Sequence, residues 1–162
     1  MRNKPLLIGV IGAASASRKG LEHARRAGRL IAEAGAVLVC GGLGGIMEAA
    51  ARGAAEAGGA VLGILPGASS EDANPYVSLP VVTDMGHARN IIIARTAEAL
   101  IAIEGGYGTL SEMAIALKLG KTVLVLDGWT ELDGATPVST ATDAVLMALQ
   151  AAGEMRNGKS GS

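Results

Sequence analysis

Aromatic side chains are scarce in this chain, which contains no Phe and only 2% aromatic residues in total. Proteins that bind single-stranded nucleic acid rely on aromatic side chains for base stacking. The formal net charge is -1, so the composition also lacks the excess of basic residues that attracts a polyanion. These two absences argue against nucleic acid as a partner.

Cysteine and long apolar runs are also nearly absent. Cys40 is alone, which excludes a disulfide framework and a multi-cysteine metal site, and no metal site is predicted. No apolar run approaches the roughly 20 residues that span a bilayer. The apolar run near the N-terminus leads directly into a glycine loop, as a first strand does, and does not resemble a signal peptide. We therefore expect a cytoplasmic protein without a membrane partner.

What is present favours one folded domain. The 162 residues are 49% hydrophobic and 18% charged, enough for a well-buried core. We expect this domain over residues 1–155, followed by a flexible polar tail over 156–162. Apolar strands alternate with helical segments, which predicts a doubly wound α/β fold, mainly parallel, with helices on both faces. The predicted strands cover 6–10, 36–40, 60–65, 77–83 with a break at Pro80, 99–103 and 122–126. The predicted helices cover 18–34, 46–57, part of 84–97, a segment opening at 109, and a last one through 152.

The most informative stretch is Ala99–Ala116, which combines a buried strand, a glycine loop and a helix. We predict that Thr109 caps the helix and that Glu112 completes a capping box three residues later. Unpaired backbone N–H groups at such a helix start, together with the helix dipole, form an anion site. The loop lacks a Walker lysine and a dinucleotide fingerprint, so the prediction is a single phosphate group. The expected ligand contacts are Gly105, Gly106, Tyr107, Gly108 and Thr109.

A short internal sequence similarity, which we call the echo, adds a second loop to this predicted site. The segment Gly41–Glu48 aligns without a gap on Gly105–Glu112. Either the chain contains two similar strand–loop–helix units side by side, or strand-to-helix turns simply look alike. A third glycine-rich loop covers 12–17, and all three follow predicted strands, where ligands bind in open α/β sheets. The expected contacts from the echo are Gly41, Gly42, Gly44, Gly45 and Glu48.

Polar residues just before the central strand supply the charge that the loop lacks. Arg89 is permanently charged and suits a phosphate or a base edge, and Asn90 suits a ligand hydroxyl. His87 is either a proton carrier or a polar residue at a helix start. Glu104 is an unexpected carboxylate beside an anion site, so it either faces away from the phosphate or selects an unusual ligand.

These motifs resemble the LOG family and its wider Rossmann-like superfamily, over about residues 6–126. The resemblance implies a phosphoribohydrolase that cleaves the N-glycosidic bond of nucleoside 5′-monophosphates without a cofactor, usually as a dimer. It also implies that Arg89 and Glu112 are the catalytic residues. The carboxylate of Glu112 would stabilise positive charge developing on the ribose or activate water, and Arg89 would hold the phosphate or the leaving base.

Two departures point to an alternative. The LOG loop usually begins Pro-Gly-Gly, but here Glu104 precedes Gly105, and the usual Glu-Arg-Lys run is here Ala88-Arg89-Asn90. These features resemble a sister group that includes molybdenum cofactor carrier proteins, whose ligand also ends in a phosphate. A non-catalytic carrier with bound molybdenum cofactor, and a nucleotide sensor, therefore stay open beside the hydrolase. Apolar residues on the helices near 91–97 and 110–119 favour a homodimer or a higher homo-oligomer.

Overall fold

The computed structural model describes residues 3–159. The strands are β1 (Leu7–Gly12), β2 (Val37–Cys40), β3 (Val61–Leu65), β4 (Leu79–Val82), β5 (Ala99–Ile103), β6 (Thr122–Leu126) and β7 (Thr136–Pro137). The helices are α1 (Arg18–Glu33), α2 (Ile46–Glu56), α3 (Arg89–Thr96), α4 (Tyr107–Lys118) and α5 (Ala141–Lys159). Short 3-10 turns cover Ser70–Asp72 and Gly86–Ala88.

The strands form a 7-stranded sheet in the order β4-β3-β2-β1-β5-β6-β7, and every pair is parallel. Helices α1, α2 and α5 contribute to the apolar core on one face, and α3 and α4 contribute to the core on the other. The predicted doubly wound, single-domain α/β fold is confirmed. The strand β1 lies between β2 and β5, so the two glycine-loop units are not side by side as the echo suggested.

The order of the strands reverses between β1 and β5. Strands β2 to β4 follow on one side of β1, and β5 to β7 follow on the other side. The loops after β1 and β5 therefore diverge toward opposite faces and leave a crevice at the carboxyl ends of the strands. This crevice is where the fold places the candidate site.

Helix ends follow local chemistry in α1 and α5. The Ser17 hydroxyl accepts the Gly20 N–H at 3.0 Å, and Gly35 with φ +73° follows the last turn of α1. The Thr140 hydroxyl accepts the Asp143 N–H at 3.1 Å and so caps α5. These short side-chain and glycine signals are readable in sequence because they act within one turn.

Three local predictions are wrong. The strand β4 continues through Pro80, because an edge strand tolerates a residue that cannot donate to a further strand. The helix α4 begins at Tyr107 rather than at Thr109. The helix α5 runs to Lys159, so the described part of the predicted tail is helical, and residues 160–162 lie outside the described residues. The Arg156 guanidinium explains this extension, since it bonds the Glu98 carboxylate and the carbonyls of Lys4 and Pro5.

Most apolar residues of α3 and α4 pack in or against the core. Ile93, Met113 and Ala116 are fully buried, whereas Ile91 remains 45% exposed. Over residues 3–159, no helix combines the length and apolarity that crossing a membrane requires.

Candidate functional site

A cleft of about 280 Å³ opens at the carboxyl ends of β1, β2 and β5, beside the first turns of α3 and α4. The structure brings most of the residues predicted on the Gly105–Glu112 loop and the Arg89 segment to this cleft. Its predicted lining residues are Gly41, His87, Arg89, Asn90, Gly106, Gly108, Thr109 and Glu112, and its further lining residues are Ile11, Gly12, Ala13, Ala14, Leu43 and Met47. The end of β1 therefore lines the cleft without contributing a charged or catalytic residue type. Its position beside the point where the strand order reverses is the one feature that indicates this role.

The first turn of α4 supplies hydrogen-bond donors to the cleft. Gly106 occupies the N-cap position, and no side chain within residues 3–159 caps the helix. Thr109 is buried within the first turn, so the predicted capping box of Thr109 and Glu112 does not form. An uncapped helix start carries unpaired N–H groups and the positive end of the helix dipole, which favour an anion by roughly 0.3–1 kcal/mol per charge.

Arg89 brings a buried positive charge into the same cleft. Arg89 is 8% exposed, and its guanidinium donates from Nη1 to the Asn90 side-chain oxygen. The Nε atom is buried and has no hydrogen-bond partner among the described residues. Burial lowers the pKa of Arg89, and the nearby Glu112 carboxylate opposes that shift. A buried cation with an unused donor is stabilised by a bound anion.

Glu112 lines the cleft and is 7% exposed. Burial raises its pKa to about 7, although the positive charge of Arg89 acts in the opposite direction. Glu112 therefore changes charge near neutral pH, which is a property of groups that exchange protons in active sites. The Cys40 thiol lies close enough to respond to both charges, but burial raises its pKa to about 11. Cys40 is consequently a neutral thiol and not an activated nucleophile at neutral pH.

A short polar chain connects the starts of α3 and α4. The Asn90 amide donates to the Ser111 hydroxyl at 3.3 Å, and that hydroxyl donates to the Gly108 carbonyl at 2.6 Å. Asn90 is therefore already committed to protein partners on both its oxygen and its nitrogen. Ser111 holds the Arg89 segment against α4, a role that no local motif around Ser111 indicates.

The remaining predicted contacts do not line this cleft. They are Gly42, Gly44, Gly45, Glu48, Gly105 and Tyr107. Gly45 and Glu48 instead border a separate cleft of about 390 Å³, with Arg18, Arg25, Arg52 and Tyr76 among its other lining residues. The Tyr107 ring is 85% exposed and its centroid lies 6.2 Å from that of Trp129.

Glu104 faces away from the cleft. Its carboxylate accepts the Ser17 N–H at 3.0 Å and also the Ser17 hydroxyl. Its φ of +54° lies in the left-handed region, which proline cannot adopt because its ring holds φ near −65°. The departure from Pro-Gly-Gly is thus built into the backbone of this loop.

The model of the SLOG cluster4 family matches residues 5–155 of this chain. The solved molybdenum cofactor binding protein of Rippkaea orientalis is 34% identical, with a TM-score of 0.86 over 91% of this chain and 97% of that one. The molybdenum cofactor carrier protein of Chlamydomonas reinhardtii is 33% identical, with a TM-score of 0.84 over 93% of this chain and 99% of that one.

A more distant similarity concerns the cytokinin riboside 5′-monophosphate phosphoribohydrolase LOG5 of Arabidopsis thaliana. It is 40% identical over 76 residues, which cover 45% of this chain and 33% of that protein. The predicted resemblance to the LOG-like superfamily is confirmed. On its fold, its glycine loops and the match over residues 5–155, this chain belongs to the SLOG cluster4 family.

Proposed function

We propose that this protein binds a molybdenum cofactor, a phosphorylated pterin, in the cleft between β1, β5 and α4, and carries it without chemical change. The observation that carries the proposal is the buried Arg89 guanidinium with its unused Nε donor, beside the uncapped start of α4. This combination suits the terminal phosphate of the ligand. The similarity to cofactor-binding and carrier proteins over almost the whole chain supports this ligand.

The residues of the cleft fit the phosphate end of the ligand. Backbone N–H groups and Arg89 supply donors and positive charge, and Glu112 can become neutral near pH 7, which removes a repulsive charge. The metal is part of the cofactor, and the bound cofactor would supply the chemistry of that metal. Cys40 keeps its proton and stays with the core at the end of β2.

Uptake of the cofactor tests the proposal directly. The protein is mixed anaerobically with free molybdenum cofactor and desalted, and the molybdenum and the oxidised pterin that co-elute are quantified. The wild type is expected to retain both in a fixed ratio to protein. Arg89→Met should weaken retention by about 100-fold, since it removes a buried charge-assisted contact worth roughly 3 kcal/mol.

Arg52→Met is the matched control, because Arg52 lines the other cleft and pairs with Glu56 at 2.9 Å. It should retain the cofactor as the wild type does. A wild type that retains neither molybdenum nor pterin contradicts the carrier function. Equal retention by both arginine variants contradicts the assigned site.

A second candidate is hydrolysis of nucleoside 5′-monophosphates, and the specific observation in its favour is the presence of Arg89 and Glu112 in one cleft. Cleavage of the glycosidic bond builds positive charge on the ribose, which an ionised Glu112 would stabilise, while Arg89 holds the phosphate. Partial similarity to LOG5 supports this candidate.

Incubation with AMP and related monophosphates separates the two candidates. A hydrolase releases free base and ribose 5-phosphate, and its rate rises as the pH passes about 7, where Glu112 loses its proton. Glu112→Gln should then abolish release of the base. Absence of release from every monophosphate removes this candidate and leaves the carrier function standing.

We also propose a homodimer formed through the exposed apolar side chains near the sheet edge. Leu79, Val82, Met85 and Ile91 are 53%, 44%, 49% and 45% exposed. Light scattering after gel filtration should give twice the chain mass of 16.1 kDa for the wild type. Val82→Lys should shift the mass toward that of a single chain. A mass of 16.1 kDa for both the wild type and Val82→Lys contradicts the dimer.

A further inference from the structure

We propose that Glu104 is a positioning residue that fastens the loop after β1 to the end of β5 and thereby sets the width of the ligand cleft. The inference rests on the proposed binding function of that cleft. It assigns a role to the carboxylate that makes this glycine loop unusual, a role exerted through Ser17 rather than through contact with the ligand.

The side chain of Glu104 makes a two-point contact with Ser17. One carboxylate oxygen accepts the Ser17 N–H at 3.0 Å, and the other accepts the Ser17 hydroxyl. The same hydroxyl accepts the Gly20 N–H at 3.0 Å, so the carboxylate also fixes the cap of α1. A Cβ on Gly20 would lie 2.5 Å from the Glu104 carboxylate, which shows how closely α1 approaches it.

The backbone of Glu104 is held from the opposite side. Its N–H donates to the carbonyls of Leu126 and Asp127 at 3.2 and 3.0 Å. A non-glycine residue at φ +54° persists only where its surroundings over-determine the conformation. Lys19 adds a parallel link, since its ammonium lies 3.3 Å from the Asp127 carboxylate. Glu104 therefore joins the ends of β5 and β6 to the start of α1.

The contact joins two segments that flank the cleft, and neither Glu104 nor Ser17 is one of its lining residues. Ala13 and Ala14, after β1, line the cleft together with Gly106 and Gly108, which follow β5. The Ala13 carbonyl accepts the Ile46 N–H at 3.0 Å, so α2 holds the near end of this loop. Glu104 holds the far end at Ser17. We name residues 13–17 the β1 loop.

Loss of the carboxylate would release the far end of the β1 loop without substituting any residue that lines the cleft. A wall that moves must be ordered again when the ligand binds, and that ordering weakens affinity. The expected consequence is lower affinity for the phosphorylated ligand without loss of the fold.

The test compares Glu104→Gly with Glu98→Gln. Glycine adopts positive φ readily, so the first variant deletes the carboxylate and keeps the backbone. Glu98 is the matched control because its carboxylate also joins two elements, accepting the Leu7 N–H at 2.8 Å and an Arg156 N–H at 2.8 Å, but it lies at the start of β5, at the opposite end of the strand from Glu104. Glu104→Gln, which keeps one acceptor oxygen, serves as the conservative variant.

Amide hydrogen exchange without ligand measures the fastening itself. Glu104→Gly should raise exchange in the β1 loop at least about tenfold, and Glu98→Gln should not. Affinity for molybdenum cofactor and for AMP should fall about tenfold in Glu104→Gly, recover in part in Glu104→Gln, and match the wild type in Glu98→Gln.

Unchanged exchange in the β1 loop of Glu104→Gly overturns the inference. Raised exchange with unchanged affinity overturns the positioning role. If the wild type binds neither compound, the proposed function fails, while the exchange experiment still decides whether Glu104 fastens the loop.

Discussion

The two glycine-loop units, Gly41–Glu48 and Gly105–Glu112, are similar in sequence but differ in geometry. In the first unit α2 begins at Ile46, after Gly45 with φ +65°. In the second unit α4 begins at Tyr107, which aligns with Leu43 rather than with Ile46. The second helix thus starts 3 positions earlier relative to the glycines (46 − 43).

This shift separates the two glutamates. Glu48 belongs to the first turn of α2 and borders the cleft between α1 and α2. Glu112 lies almost one turn further into α4 and is buried in the ligand cleft with Arg89. Equal spacing from a glycine motif therefore does not imply an equal role, because the position where the helix begins decides where the side chain points.

The strongest test of this difference is a matched pair, Glu112→Gln and Glu48→Gln. Since burial raises the Glu112 pKa to about 7 from its ordinary value of 4.5, the folded state keeps a proton that the unfolded state loses. Wild-type stability should fall as pH rises from about 4.5 to 7. Glu112→Gln should lack that fall and gain roughly 1–3 kcal/mol of unfolding free energy at pH 8.

Denaturant unfolding at pH 5, 6, 7 and 8 measures the effect. Glu48→Gln should reproduce the wild-type profile, because the Glu48 side chain lies only partly buried at the other cleft. If the two variants change the profile alike, the two units are equivalent after all.

A smaller effect tests whether the first unit contributes to the ligand cleft. A Cβ at Gly41 would lie 2.8 Å from Arg89 Nη2 and 2.6 Å from Met47 Sδ. Gly41→Ala should displace the guanidinium and weaken cofactor retention by about tenfold, which is 1.4 kcal/mol. Retention measured as above should be normal in Gly44→Ala, since a Cβ at Gly44 meets, among residues 3–159, a single neighbour, Glu48, at 4.0 Å. Normal retention in Gly41→Ala would mean that Arg89 does not depend on this glycine.

The smallest expected effect concerns the aligned pair Gly108 and Gly44. A Cβ at Gly108 meets no atom of the described part of the chain within 4 Å, and the residue lines the cleft in the first turn of α4. Gly108→Ala should raise helix stability by about 0.5–1 kcal/mol and yet weaken retention a few-fold, because the methyl group enters the anion site. Thermal unfolding and cofactor titration measure the two effects. Equal retention in Gly108→Ala and Gly44→Ala would place the anion away from the start of α4.

Much of the architecture was predictable because it depends on local patterns. Apolar strands alternating with helical segments predicted the doubly wound sheet, and the glycine-rich loops lie at the strand ends as expected. Arg89, Thr109 and Glu112 were predicted as site residues, and the structure places them in one cleft. Their residue types indicate this chemistry wherever a parallel sheet brings them to its carboxyl edge.

Other features were not predictable because distant segments control them. Gly45 packs against the carbonyls of Ala13 and Ala14, which a Cβ would approach within 2.3 and 2.4 Å. That contact sets the start of α2, and no signal within the glycine motif reports it. Likewise, Glu104 turns toward Ser17, 87 positions away, which a local motif cannot indicate.

Local sequence patterns specify the fold class, the edge of the sheet that holds the candidate site and the residue types available there, since hydrophobic period and glycine placement act over a few residues. Packing between distant segments brings Glu112 and Arg89 into one buried cleft, leaves Glu48 outside it and turns Glu104 toward Ser17. Those outcomes depend on helix start positions and on burial, and both are set by packing between segments that are far apart in the chain.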